Sequence, residues 1–247
     1  MIVVDGAWVP PELGTGCIHG TAWFARRLGT QLLALLSTEA NRSPADSLAQ
    51  SITDVAALHA DTCDLDHPGS PSATVAILRE QHEAVDFLVL GDTTILLEEP
   101  ADIRVVTDDR LENVAAVQHG AMHQHATGSA DHDRSFAELV TEQRHHRNHP
   151  DGFWVASTEP DAAQHALTDT VARYRLRRAA VLSDGAIRLV DRFGLLDWPT
   201  FLDILAEQGP DAIIQQVRAA EDSDPDGRRW PRGKRHDDAS AAFCHLT

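Results

Sequence analysis

The sequence predicts an α+β protein built mostly from antiparallel sheets. Two observations carry that prediction. Period-two apolar runs and helical-period runs occur in blocks instead of strict alternation, and neither an internal repeat nor a linker-like stretch interrupts the 247 residues. A chain of this length can bury a sizeable core and sits at the upper end of a single domain, so residues 1–247 are read as one domain.

The elements follow in order. Ile2-Val3-Val4 is β-branched and runs straight into Asp5-Gly6, which predicts a short buried strand ending in a turn. A Pro/Gly loop (Val9 to Gly16) precedes a helix from His19 to Leu36. Ser43-Pro44-Ala45-Asp46 is a helix start with a capping Ser, a Pro at the first helical position and an acid in the first turn. Leu48, Ile52, Val55 and Leu58 continue it at helical spacing. Then the period changes, and Ala73 to Arg79, Val85 to Leu90, Thr93 to Leu97 and Ile103 to Thr107 read as successive strands. Gln118 to Asp133 is polar, His-rich and without period, hence loop. Phe136 to Arg147 reads as a helix, Phe153 to Ala156 as a strand and Asp161 to Leu167 as a short helix. Arg178 to Ser183 reads as a buried strand ending at the turn Asp184-Gly185. Helices over Trp198–Gln208 and Pro210–Glu221, a loop from Asp222 to Lys234 and a last strand from Ala239 to His245 complete the chain.

Composition narrows the function classes. The balance of 21 basic against 38 acidic residues gives a net charge of −17, which argues against nucleic acid or an anionic membrane as the main partner. No stretch approaches the roughly 20 apolar residues of a membrane span. The N-terminus lacks the basic region of a signal peptide. Cys17, Cys63 and Cys244 are widely spaced and odd in number, which suggests reduced thiols in a cytoplasm, with neither a disulfide framework nor a CxxC metal pattern.

Three places share one grammar, a short apolar strand touching an aspartate: Val4-Asp5-Gly6, Ser183-Asp184-Gly185 and Asp237-Asp238. Val89-Leu90-Gly91-Asp92 is a fourth. Carboxylates at strand ends are held rigidly at a sheet rim. Several converging ones repel one another unless a cation neutralises them, and oxygen-only ligands favour Mg²⁺ or Mn²⁺. Asp-Gly is also ordinary turn chemistry, as at Asp151 and Asp226.

The order of these pieces resembles the PP2C family of metal-dependent protein phosphatases over almost the whole chain. Val4-Asp5-Gly6 is similar to the family's first acidic turn, and Ser72 to Ala76 to its small-residue strand. Phe87 to Thr93 resembles the Gly-Asp-Ser turn, and Val106 to Asp109 the element after it. Ala180 to Gly185 resembles the Ser-Asp-Gly motif, and Asp237 to Ser240 the terminal Asp-Asn/Asp element.

The resemblance implies a four-layer αββα sandwich of two antiparallel sheets flanked by helices. It implies hydrolysis of phosphoserine or phosphothreonine in a phosphoprotein, or of a small phosphorylated substrate, in cytoplasmic signalling. Two Mg or Mn ions are implied, bridged by Asp5 with the help of the Gly6 carbonyl; Asp184 and Asp237 would hold the second ion. A water between the ions would attack phosphorus in line.

Several features depart from that pattern. The family begins with another strand carrying an acidic metal-shell residue and an arginine that grips phosphate, whereas this sequence begins at the Asp5 strand. The resemblance is therefore to a divergent, bacterial-like member lacking that strand, and it leaves an N-terminal truncation open. Ala7 and Trp8-Val9-Pro10 replace other family residues. Arg188 stands where a third-metal aspartate often sits, which speaks against a third ion even with Asp92 present. Arg26 or Arg27 is a candidate replacement for the missing arginine against the plainer reading of a solvated helix face. The basic run Arg228 to Arg235 could meet a phosphate or balance nearby acids. His119, His123 and His125 suggest a zinc or nickel site against the plainer reading of a polar loop. The departures leave a second reading open, a PP2C-like binding or regulatory module without catalysis.

Overall fold

In a computed structural model, which describes residues 1–246, the eight strands form two four-stranded antiparallel sheets. The first has the order β1 (Ile2–Gly6), β2 (Ala73–Glu80), β3 (Ala84–Leu90), β6 (Leu167–Ala172). The second has the order β5 (Ile103–Thr107), β4 (Thr94–Glu98), β7 (Arg178–Leu182), β8 (Ala241–His245). Helices α1 (Gly20–Thr38) and α2 (Pro44–His59) cover the first sheet. Helices α5 (Asp184–Asp191), α6 (Trp198–Gln208) and α7 (Pro210–Ser223) cover the second.

Three apolar layers hold the sandwich together, and strand alternation creates them. On β2, Val75 and Ile77 face α1 and α2 and pack on Phe24, Leu28, Leu32, Leu48 and Ile52. Their neighbours Ala76 and Leu78, with Val89 of β3, face the opposite sheet and meet Ile95, Leu97 and Val181. On the far side Leu96, Ala180 and Leu182 pack on Phe201, Leu205, Ile213 and Val217. Most of these side chains are fully buried, the Val, Leu, Ile and Phe among them each contributing about 1.5–3 kcal/mol of transfer free energy. The αββα sandwich of antiparallel sheets predicted from the sequence is the architecture observed.

Local signals explain the element starts. Ser43 accepts a hydrogen bond from the Asp46 amide with Pro44 following it, the predicted start of α2. Asp197 caps α6 in the same way.

Four expectations are corrected. The segment from Gln118 to Asp133 is not loop: it contains most of α3 (Ala116–Met122) and the first turn of α4 (Ala130–His146). These helices bury only Met122, His132 and Leu139 between them, so no apolar stripe marks α3 or the first turn of α4 in the sequence. Phe153 to Ala156 is buried, but it forms only isolated bridges to Ala73 and Arg147 instead of a strand. Leu167 does not end the preceding helix but begins the edge strand β6, Leu167–Ala172. Its mostly exposed, Thr-rich pattern lacks the expected apolar alternation. Asp184-Gly185 is not a turn but the first turn of α5.

Candidate metal and phosphate site

The strand ends of both sheets converge at one end of the sandwich. β1 delivers Asp5 and the connection from β3 to β4 delivers Asp92; Asp184 follows β7 and Asp237 precedes β8. All four aspartates, with Gly6, line one cavity of about 180 Å³. The pairing forces this placement, because Leu182 lies opposite both Ala241 and Thr94, so the ends of β7, β8 and β4 coincide. Gly185 is required where α5 starts: a Cβ there would lie 2.1 Å from the Asp238 carbonyl oxygen. Ser183 shapes the same junction, its Oγ accepting from the Ser240 amide at 3.0 Å.

The carboxylates carry uncompensated charge. Burial first, and Asp184 second, push the Asp5 carboxyl up to about 8. Asp5 and Asp184 interact closely enough that a proton held between them relieves their mutual repulsion. Burial, then Asp184, raises Asp92 to about 7, and burial with the nearby Asp237 raises Asp184. Thr74, opposite Asp5 in the β1–β2 register and lining the cavity, has a buried hydroxyl without a partner among the described residues. An all-oxygen donor set of Asp5, Asp92, Asp184 and the Gly6 carbonyl fits a hard divalent cation such as Mg²⁺ or Mn²⁺.

Asp237 differs from the other three. Its Oδ2 accepts from Arg188 Nη2 at 2.5 Å and its Oδ1 from the Lys234 ammonium. Arg188 also donates to Glu221, fully buried on α7, at 2.9 Å. Arg218 donates to the second Glu221 oxygen and to the Asp237 backbone carbonyl. Two side-chain cations thus occupy both Asp237 oxygens. Among the described residues no three of the four carboxylates bring their oxygens within 4.8 Å of one another.

The same cavity also has a cationic lining. Arg144, Arg147 and Lys234 line the cavity beside Gln143, Trp8 and Phe153. Arg147 donates to the Ser70 carbonyl at 2.8 Å, and burial lowers its guanidinium to about 10. It has no acidic partner among the described residues. These arginines stand at the C-terminal end of α4, and their i, i+3 spacing was the signal available in the sequence. Arg26 and Arg27 are exposed on α1, away from the cavity lining. In the basic run, Arg232 is buried in an ion pair with Asp224 and only Lys234 reaches this cavity. His119 and His123 line an adjoining cavity of about 380 Å³, their ring centroids 6.1 Å apart. They form no three-ligand cluster with His125 among the described residues.

No family model matches the chain, and no curated protein sequence matches it. Solved structures do. A bacterial serine phosphatase superposes with a TM-score of 0.57 at 12% identity, covering 100% of this chain and 85% of that one. The serine/threonine phosphatase PstP/Ppp of Mycobacterium tuberculosis gives 0.51 at 13% identity, covering 99% and 87%. The serine-threonine phosphatase 2C from Toxoplasma gondii gives 0.52 at 13% identity, covering 100% and 84%. What is shared at such identity is the arrangement of sheets and helices: the chain has the fold of the PP2C-type serine/threonine phosphatases.

Proposed function

We propose that the chain is a Mg²⁺- or Mn²⁺-dependent phosphatase acting on phosphoserine or phosphothreonine. The observation that carries this reading is that one cavity is lined both by the carboxylates of Asp5, Asp92 and Asp184 and by the guanidinium groups of Arg144 and Arg147. Asp5, Asp92 and Asp184, with the Gly6 carbonyl, would hold the cation. When bound, such a cation supplies an acidified water and neutralises phosphoryl oxygens. Arg147 and Arg144 bind and orient the phosphate through N–H groups that no carboxylate engages, and Lys234 adds charge at the same mouth. Trp8, stacked on Phe136 at 5.5 Å, and Phe153 keep the entrance apolar. Asp237 joins the metal shell only when Arg188 and Lys234 release it.

That last feature favours a second reading, a phosphate-binding module that does not turn over, in which Arg188 and Lys234 stand in for an ion. Release of phosphate from a phosphothreonine peptide and from an aryl phosphate, with Mn²⁺ and with chelator, separates the two. The catalytic reading expects Mn²⁺-dependent turnover that Asp184→Asn abolishes while peptide binding persists. Absence of turnover with either metal, together with no metal-induced rise in melting temperature, sinks it.

A further inference from the structure

Away from the aspartates, the fold gathers four side chains that the sequence scatters. Cys17 and His19 lie in the segment entering α1; His59 ends α2 and Cys63 follows it. Their ligand atoms all lie within 4.8 Å of one another. Cys17 Sγ is 3.5 Å from His59 Nδ1 and 3.8 Å from His19 Nδ1, and His19 Nδ1 is 3.4 Å from Cys63 Sγ. The two sulfurs are 3.0 Å apart, well beyond the ~2.05 Å of a disulfide. None of the four lines the phosphate-site cavities.

We infer that Cys17, His19, His59 and Cys63 form a structural zinc site. Tetrahedral zinc with its usual bond lengths separates sulfur from nitrogen by about 3.6 Å and sulfur from sulfur by about 3.8 Å. The three sulfur–nitrogen contacts bracket the first value, and the sulfurs need to part by less than an ångström to reach the second. Two thiolates and two imidazoles select zinc over the hard cations that suit the aspartates. The set is closed, with four protein ligands and no place reserved for substrate, as structural sites are. His59 is 2% exposed and its Nε2 has no partner among the described residues, so Nδ1, facing the sulfurs, is the ring's only polar outlet. Trp23 shields the cluster, its ring 4.4 Å from His19 and 5.1 Å from His59. The pattern is Cys-x-His and His-x3-Cys with 39 residues between them, two close pairs that only the packing of α1 on α2 unites.

The site explains what anchors the segment between β1 and α1. From Ala7 to His19 that segment has no regular structure, and it carries Trp8 and Val9 to the phosphate cavity. Zinc would tie its far end to α2, one step from the Asp64 amide that donates to Gly16.

The test measures zinc in the full-length protein purified without added metal, and again in Cys17→Ser/Cys63→Ser and Asp184→Asn. About one zinc per chain is expected in wild type and in Asp184→Asn, and none in the double cysteine variant. Should the double variant fail to fold, wild-type protein stripped and titrated with Co²⁺ should show thiolate-to-cobalt charge transfer. Zinc should then protect Cys17 and Cys63, but not Cys244, from alkylation. A Cys17–Cys63 disulfide without metal, zinc lost in Asp184→Asn instead, or equal alkylation with and without zinc overturns the assignment.

Discussion

Replacing Asp5 with Asn should stabilise the metal-free protein while destroying its response to metal. Burial and Asp184 raise the Asp5 carboxyl from 3.8 to about 8. The stability associated with its protonated form is therefore fully present below about pH 4 and is lost as pH rises through about 8. At pH 7 a lone group shifted this far costs on the order of 4 kcal/mol, 1.36 kcal/mol for each of the roughly three pH units above its unfolded value. Asp184 shares the proton, so about half of that, ~2 kcal/mol, is the expected gain from Asp5→Asn. For a chain of this size that corresponds to a rise of roughly 4–8 °C in melting temperature. Thermal unfolding in chelator at pH 5, 7 and 8.5 measures it: the advantage of the variant should grow with pH. With Mn²⁺ the order should reverse, because only wild type retains the ligand. A variant less stable than wild type by a constant margin at every pH would refute the electrostatic account and leave Asp5 a packing residue.

Three further perturbations probe the rest of the site. Lys234→Met removes one of the two cations on Asp237 and should tighten Mn²⁺ by roughly tenfold in titration calorimetry while weakening phosphate binding. Arg147→Ala should raise KM for a phosphopeptide by about 10- to 100-fold with a smaller change in kcat; an unchanged KM would remove it from the phosphate wall. Gly185→Ala forces a methyl group onto the Asp238 carbonyl and should cost about 1–3 kcal/mol in denaturant titration, with loss of metal response.

Much of this was legible in the sequence, for a physical reason. Val3-Val4-Asp5 and Val181 to Asp184 combine a buried strand with a carboxylate at its end, and sheet pairing converts a shared grammar into a shared location. The fate of Asp237 was not legible, because its partners Arg188 and Lys234 reach it from α5 and from a loop that carries no periodic signal. Arg144 and Arg147 stood in plain view, yet their importance depends on α4, whose first turn lay in an apparent loop. The Cys17–His59 cluster escaped notice because each half has two ligands and neither half resembles a finger motif. β6 was missed because an edge strand facing solvent needs little apolar alternation.

The three-residue step from β3 to β4 has a mechanical consequence. Leu90 ends a strand of one sheet and Thr94 begins a strand of the other, with Asp92 between them. Asp5 belongs to the first sheet and Asp184 follows a strand of the second. An ion gripped by these three would act as a rivet through both plates of the sandwich, fastening them at the end where their carboxylates otherwise push them apart. Loading the rivet should therefore slow amide exchange along β1 and β7 together, strands that share no hydrogen bond.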